Sequence, residues 1–369
     1  MANLVLSEAQ LEDAVARGLI TADQMKSLRE IGAAPMPGMD EDMLSPDRDD
    51  ERFRFLNGFN DIFLSIGIVL ITVAVFSLGP AAAVSPIVAA IVLGLSELLV
   101  RRRRTVLPGI VLATIFAIAF ARLGAAALEW LGFSWAYYDN STSYYLLAAG
   151  SLAAAAIGGV AYYSRYRLPF ALFTIGSCTA LALVYGAIWL HAPPVGKPLE
   201  YFTETAVVVP AFIAGLVLFA AAMRFDISDP QRNTRRADCA FWLHMAAAPL
   251  LVHPVIAPLI SGIKAGAGAG VTGNAILVLA LVSVMGVVAL GIDRRAMLVA
   301  SLSYLITALA YLVNTGGNIG RGPITASLLF VGILVLVLGM NWHGLRRSLL
   351  GLIPDGPLKR MLPPPPQSA

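Results

Sequence analysis

The chain has 369 residues, of which 58% are hydrophobic and only 13% are charged, whereas soluble domains have roughly 45–50% and 25%. The formal net charge of +3 points to no particular partner, and two cysteines indicate neither a disulfide framework nor a zinc site. The composition excludes an ordinary soluble domain. It predicts a protein that lies mostly within a lipid bilayer and has no nucleic-acid partner.

Residues 1–32 predict a small soluble helical hairpin on the cytoplasmic side. Two residue pairs fit the capping box, in which a hydroxyl and an amide side chain satisfy opposing backbone donors: Ser7 with Gln10, and Thr21 with Gln24. Gly18 lies where a left-handed glycine would end the first helix.

The stretch SEAQLEDAVARGLITADQMKSL resembles the small "GLIT" hairpins that lie beside membrane spans in bacterial proteins. This stretch and the general layout of the chain also resemble a bacterial family of predicted multi-spanning membrane proteins of unknown function. In that family a short N-terminal helical hairpin precedes many spans. The resemblance implies a location in the bacterial inner membrane, and it supplies no activity, cofactor or catalytic residue.

Residues 33–57 predict an acidic, disordered linker. The segment AAPMPGMDEDMLSPDRDDE is rich in proline and acid and has little to bury. We expect the acidic run to be a solvated tether, with a docking site for a basic partner as the alternative.

Residues 58–342 predict a transmembrane helix bundle, because about ten apolar segments follow the linker, each near the length that a bilayer requires. The fold class is therefore all-α, a polytopic bundle of about ten spans preceded by the hairpin. The predicted spans are Phe59–Leu78, Ala82–Val100, Val106–Leu131, Tyr144–Tyr163, Leu168–Leu190, Thr205–Met223, Cys239–Ile260, Ala275–Ile292, Ala296–Val313 and Ile324–Asn341.

The connections between these segments alternate between cation-rich and cation-poor. The cation-rich set contains Arg52 and Arg54, Arg101–Arg104, Arg165 and Arg167, Arg224–Arg236, Arg294 and Arg295, and Arg346 and Arg347. Because cytoplasmic loops hold the excess of lysine and arginine, we expect both termini to be cytoplasmic. After the last span, residues 343–369 predict a basic amphipathic segment along the membrane surface and a proline-rich tail.

The seventh predicted span differs from its neighbours because it carries three prolines and two histidines. Pro249, Pro254 and Pro258 each remove a backbone donor, so this span is expected to be kinked or broken and to lie inside the bundle. His244 and His253 are nine positions apart with no third ligand at a helical spacing, so the pair does not indicate a metal site. We expect each to be a hydrogen-bonded core histidine.

Ionisable groups at the ends of the spans are expected to pair with neighbouring charges. Asp61, Glu97, Asp238 and Asp293 belong to this class, and Glu97 lies four residues before Arg101, a spacing that favours an ion pair.

Arg122 is different, because it lies some sixteen residues into the third span, or ~24 Å of helix rise. Glu129 lies on the same face two turns further on, and it is the nearest candidate partner. Ionisable groups at such depth indicate a functional site. The candidate binding residues at similar depth or at the outer ends of the spans are Arg122, Glu129, His253, Asn314, Asn318 and Arg321.

The leading functional hypothesis is a transporter-like bundle for a small polar or anionic solute, with a cavity that opens outward around Arg122 and the broken seventh span. The first alternative is a membrane scaffold or regulator that recruits a cytoplasmic protein through residues 1–32. The second is an intramembrane transferase acting on a lipid-linked substrate, with Glu129 or His253 as base. The sequence contains no HExxH motif and no serine–histidine–acid order, so we assign no catalytic residue, metal ligand or cofactor, and nothing indicates an enzyme.

Overall fold

The computed structural model describes residues 14–21, 23–25, 59–133, 141–191, 204–232, 234–264, 269–295, 297–298, 329, 332–333, 336–337, 339–354, 356, 359 and 362. The chain divides into two units, residues 1–50 with 366–369 and residues 51–365.

The described part of the first unit contains the helix-capping features that the sequence indicates. Gly18 has φ +69°, and its amide donates to the Val15 carbonyl at 2.9 Å. The Thr21 amide donates to Gln24 Oε1 at 2.8 Å, and the Gln24 amide donates to Thr21 Oγ1 at 3.2 Å. These are the two reciprocal bonds of a capping box. The remainder of the predicted hairpin and the linker lie outside the described residues.

The described part of the second unit is helical and contains no strand. Its helices are α1 (Phe59–Phe76), α2 (Ala81–Ser96, continued by a π-helical turn over Glu97–Arg102), α3 (Leu107–Trp130), α4 (Ser141–Tyr166), α5 (Phe170–Leu190), α6 (Glu204–Ser228), α7 (Arg235–Lys264), α8 (Ala269–Ile292) and α9 (Trp342–Leu352).

Within the described residues, seven helices, α1 to α7, are long and apolar enough to cross a membrane. They fall on the first seven predicted spans, and α8 falls on the eighth. The described part of the chain is therefore all-helical, with the long apolar helices of an integral membrane protein. Most of the ninth and tenth predicted spans lies outside the described residues, and Asn314, Asn318 and Arg321 lie wholly outside them, so the number of ten spans stays a prediction.

Helix α7 lies at the centre of the bundle, as its composition predicts. Within its membrane-spanning segment 61% is buried, whereas the buried share of the other six spans is 22–39%. Of the expected kink or break in α7, the break is wrong, because the helix runs without interruption from Arg235 to Lys264 through all three prolines, and the kink stays a prediction. Each proline costs one backbone hydrogen bond, and a helix enclosed by its neighbours tolerates that loss.

Close contact between α3 and α4 depends on small residues, as the spacing of Gly150, Ala154 and Gly158 indicates. A Cβ atom on Gly124 of α3 would lie 2.6 Å from the Ala154 Cβ, and one on Gly158 would lie 2.6 Å from the Phe120 ring. Neither position leaves room for a side chain, so the glycines set the distance between these two helices.

Candidate functional site

A cavity of about 800 Å³ lies between α4, α5, α6 and α7, within the range of small-molecule sites. The residues that line it are Tyr144, Tyr145, Ser177, Leu181, Val184, Tyr185, Ile188, Val207, Ala211, Ala246, Pro249, Leu250, His253 and Pro254. Along α5 the lining extends from Ser177 to Ile188, which is ~16 Å of helix rise. The cavity is therefore elongated along the bundle.

The cavity lies at the end of the bundle opposite the arginine-rich loops. Tyr144 begins the lining of α4, whereas Arg165 lies in the last turn of the same helix. Val207 and Ala211 come from the first turns of α6, and Ile188 comes from the last turn of α5. In the cytoplasmic orientation that the arginines predict, this is the outer half of the bundle.

The wall of the cavity is mostly apolar, with a few groups that can form hydrogen bonds. Nine of its fourteen described lining residues are aliphatic, alanine or proline, and the others are three tyrosines, Ser177 and His253. Among the described residues of the lining, none is a lysine, arginine, aspartate or glutamate. Such a wall suits an uncharged, largely apolar molecule, because an ion placed there would lose its hydration without gaining a counter-charge.

His253 and His244 have different environments, although both lie on α7. The His253 side chain is exposed and lines the cavity, so the expectation of a core histidine is wrong for it. His244 is fully buried, and the same expectation is confirmed, because its Nε2 lies 3.0 Å from Asp226 Oδ2.

Arg122 does not line the cavity. Its guanidinium lies over the ring of Phe76 on α1, 5.0 Å from the ring centroid, a cation–π geometry. Its Nε atom is buried and has no hydrogen-bond partner among the described residues.

Glu129 is exposed. Within the described part of the chain, no ion pair joins it to Arg122. The structure therefore does not bring Arg122, Glu129 and His253 together, and their role in binding a solute stays a prediction.

A buried ion network lies at the opposite, arginine-rich end of the bundle. Asp226 of α6 accepts hydrogen bonds from both Nε (3.3 Å) and Nη2 of Arg294, which lies two residues beyond the end of α8. Arg294 Nη2 also donates to the Ala237 carbonyl in the first turn of α7 at 3.1 Å. Because an ionised carboxylate only accepts, His244 Nε2 carries the hydrogen in its contact with Asp226. The network therefore joins α6, α7 and the end of α8.

A second network, adjacent in the chain, is centred on Asp293. Its carboxylate pairs with Arg232 Nη1 at 3.2 Å, accepts from Trp342 Nε1 at 2.7 Å and lies 3.6 Å from Arg346 Nε. Arg232 Nη2 also donates to the carbonyls of Ile292 and Asp293, both at 3.0 Å. These contacts hold α9 against the ends of α6 and α8.

The interfacial ion pair predicted at Glu97 is confirmed. Arg101 Nη1 lies 3.0 Å from Glu97 Oε2, and Arg165 Nη2 of α4 lies 2.8 Å from Oε1. In the part of the chain that the structure describes, no group of three histidine, cysteine, aspartate or glutamate side chains could hold a metal ion.

Sequence reasoning missed Asp226 as a buried partner. The sixth span was predicted to end at Met223, which placed this aspartate in an arginine-rich loop, whereas α6 continues to Ser228. The signal that could have identified it is an acid that directly follows the apolar sixth span, two residues after Arg224, with His244 in the next span as a possible partner.

Comparison with known proteins finds no matching family model, no matching curated protein and no matching solved structure. The chemistry of the cavity must therefore be derived from its own residues.

Proposed function

We propose that this integral membrane protein binds a small, uncharged and mainly apolar molecule in the cavity between α4 and α7, as the binding step of a transporter-like bundle. The observation that supports the proposal is an elongated cavity of about 800 Å³ in the bundle, lined by four helices, whose described lining residues carry no fixed charge. This ligand differs from the polar or anionic solute that Arg122 indicates, because Arg122 lies outside the lining.

The shape of the wall also supports a bound ligand. Tyr145, Val184, Ile188 and Ala211 form one buried apolar cluster, so one side of the cavity belongs to a packed core. The rings of Tyr145 and Tyr185 stack with centroids 6.3 Å apart. A cavity supported by such a cluster keeps its form without a ligand, and less free energy is then required to order it on binding.

The test uses photolabelling of the full-length protein in lipid nanodiscs with a 1-dodecanol analogue that carries a diazirine in mid-chain. The cavity length of ~16 Å along α5 suits a chain of this size. We expect labelling that saturates and that an excess of unlabelled 1-dodecanol suppresses.

A matched pair of variants on α5 distinguishes the cavity from the lipid-facing surface. Ser177→Phe places a ring in the cavity and should reduce saturable labelling at least fivefold, whereas Thr179→Phe, at an exposed position of the same helix, should leave it unchanged. Labelling that never saturates, or that is equal in both variants, would contradict the proposal.

The orientation of the bundle is a further part of the proposal. We place the arginine-rich ends of the helices and both termini in the cytoplasm, supported by the alternating charge of the connections. A topology reporter fused after Arg104 should indicate a cytoplasmic position, and one fused after Ser141 should indicate a position outside the cytoplasm. The reverse pattern would overturn the orientation.

A further inference from the structure

Some backbone carbonyls of α7 lack a hydrogen-bond donor within the helix because of its prolines. Proline has no amide hydrogen, so a proline inside a helix leaves the carbonyl four residues earlier without its α-helical donor. Helix α7 runs through Pro249, Pro254 and Pro258. The carbonyls of Met245, Leu250 and Pro254 therefore lose that donor.

Two of these three carbonyls belong to residues of the cavity wall, Leu250 and Pro254. These residues are four positions apart and so lie one above the other on one face of α7. A backbone carbonyl that faces an apolar cavity inside a membrane gains free energy from any donor that reaches it, since no bulk water is present to supply one.

Helix α5 adds a hydroxyl that is available to the cavity. Ser177 of α5 lines the cavity, and within the described residues its hydroxyl has no hydrogen-bond partner. Ser151 of α4, by contrast, donates to the Leu147 carbonyl of its own helix at 2.6 Å, which is the usual arrangement of a serine inside an apolar helix.

We propose that the cavity selects an uncharged amphiphile that carries a hydrogen-bond donor, a hydroxyl or an amide N–H. The donor binds the carbonyl of Leu250 or Pro254, and the apolar chain of the ligand packs against Val184, Ile188 and their neighbours. The inference rests on the proposed function, because it names the ligand class of the same cavity. An ether of the same length has no donor, so both carbonyls would remain without a hydrogen bond.

The experiment compares 1-dodecanol with methyl undecyl ether, an ether of the same length, as competitors of the diazirine-bearing dodecanol on the full-length protein in nanodiscs. Both concentrations are expressed as mole fractions in the bilayer, which removes differences in partitioning. One hydrogen bond to a buried acceptor should favour the alcohol by about fivefold to tenfold.

The decisive variants restore the missing backbone donors. In Pro254→Ala the new amide donates to the Leu250 carbonyl within the helix, and in Pro258→Ala the new amide donates to the Pro254 carbonyl. Each carbonyl is then no longer available to the ligand. Pro258 does not line the cavity, so Pro258→Ala changes no lining side chain. The control is Pro86→Ala, which removes a proline from the interior of α2, a helix that does not line the cavity.

The expected result is that the preference for the alcohol falls to about one in the double variant Pro254→Ala/Pro258→Ala and is unchanged in Pro86→Ala. Saturable labelling with equal competition by alcohol and ether, or a preference that the double variant retains, would overturn this inference and leave the proposed function standing. Absence of saturable labelling in the wild type would overturn both.

Discussion

The buried pair of Asp226 and Arg294 permits a quantitative prediction about stability. Asp226→Asn keeps the shape of the side chain and an acceptor for His244, but it removes the counter-charge of Arg294, which is only 2% exposed. Leaving one member of a buried ion pair without its partner costs about 3–5 kcal/mol. We therefore expect this single substitution to remove a large part of the free energy of unfolding.

The double variant Asp226→Asn/Arg294→Met separates the charge effect from general disruption of packing. Once both charges are absent, no uncompensated ion remains, so the cost of leaving one buried charge without its partner is avoided. The double variant should therefore be more stable than Asp226→Asn alone, with a coupling free energy of about 2 kcal/mol or more. Additive losses would refute the reasoning.

The native cysteines supply the assay. Cys239, near the start of α7, is 5% exposed, and in a Cys178→Ala background its reaction with a thiol-specific dye reports unfolding of the detergent-solubilised protein in increasing SDS. Glu97→Gln is the control, because it removes the charge of an exposed carboxylate that also pairs with two arginines. A loss in Asp226→Asn no greater than in Glu97→Gln would contradict the account of the buried network.

Three further predictions concern helix packing, the attachment of α9 and membrane insertion. Gly124→Ala should lower the free energy of unfolding by about 1–3 kcal/mol in the same assay, because the new Cβ would lie 2.6 Å from the Ala154 Cβ. The control Gly94→Ala should cause no such loss, because a Cβ there meets nothing within 4 Å. Equal effects would contradict the close contact of α3 and α4. Asp293→Ala should raise amide hydrogen exchange in α9 at least tenfold, since each hydrogen bond to a charged group contributes about 1.5–3 kcal/mol, and unchanged exchange would show that apolar packing alone holds α9. Deletion of residues 1–50 should leave membrane insertion intact, because the spans carry their own signals; a truncated protein that fails to accumulate in the membrane would refute this.

The helices could be predicted from the sequence because a span in a bilayer is a local property of length and composition. The central position of α7 was also predictable, since its prolines and histidines are poorly suited to lipid. The Glu97–Arg101 pair follows from helix periodicity, whereas Arg165, the second partner of Glu97, is 68 residues away in the chain.

The long-range contacts could not be predicted, because they depend on which helices become neighbours. The partners of Asp226 are 18 and 68 residues away, and no spacing rule connects them. The cavity could not be predicted for the same reason, since its wall combines residues from four helices. Arg122 was assigned to the cavity from its depth alone, and depth does not determine which way a side chain points around the helix.

The central claim, that the cavity between α4 and α7 binds an uncharged amphiphile, is tested most directly by locating the adducts of the diazirine-bearing dodecanol by peptide mass spectrometry. We predict adducts on the lining segments, above all around Tyr185 of α5 and Pro249 of α7, that excess 1-dodecanol suppresses. Adducts that follow lipid exposure, with α1 residues such as Phe63 and Leu70 labelled as strongly and without competition, would contradict the claim.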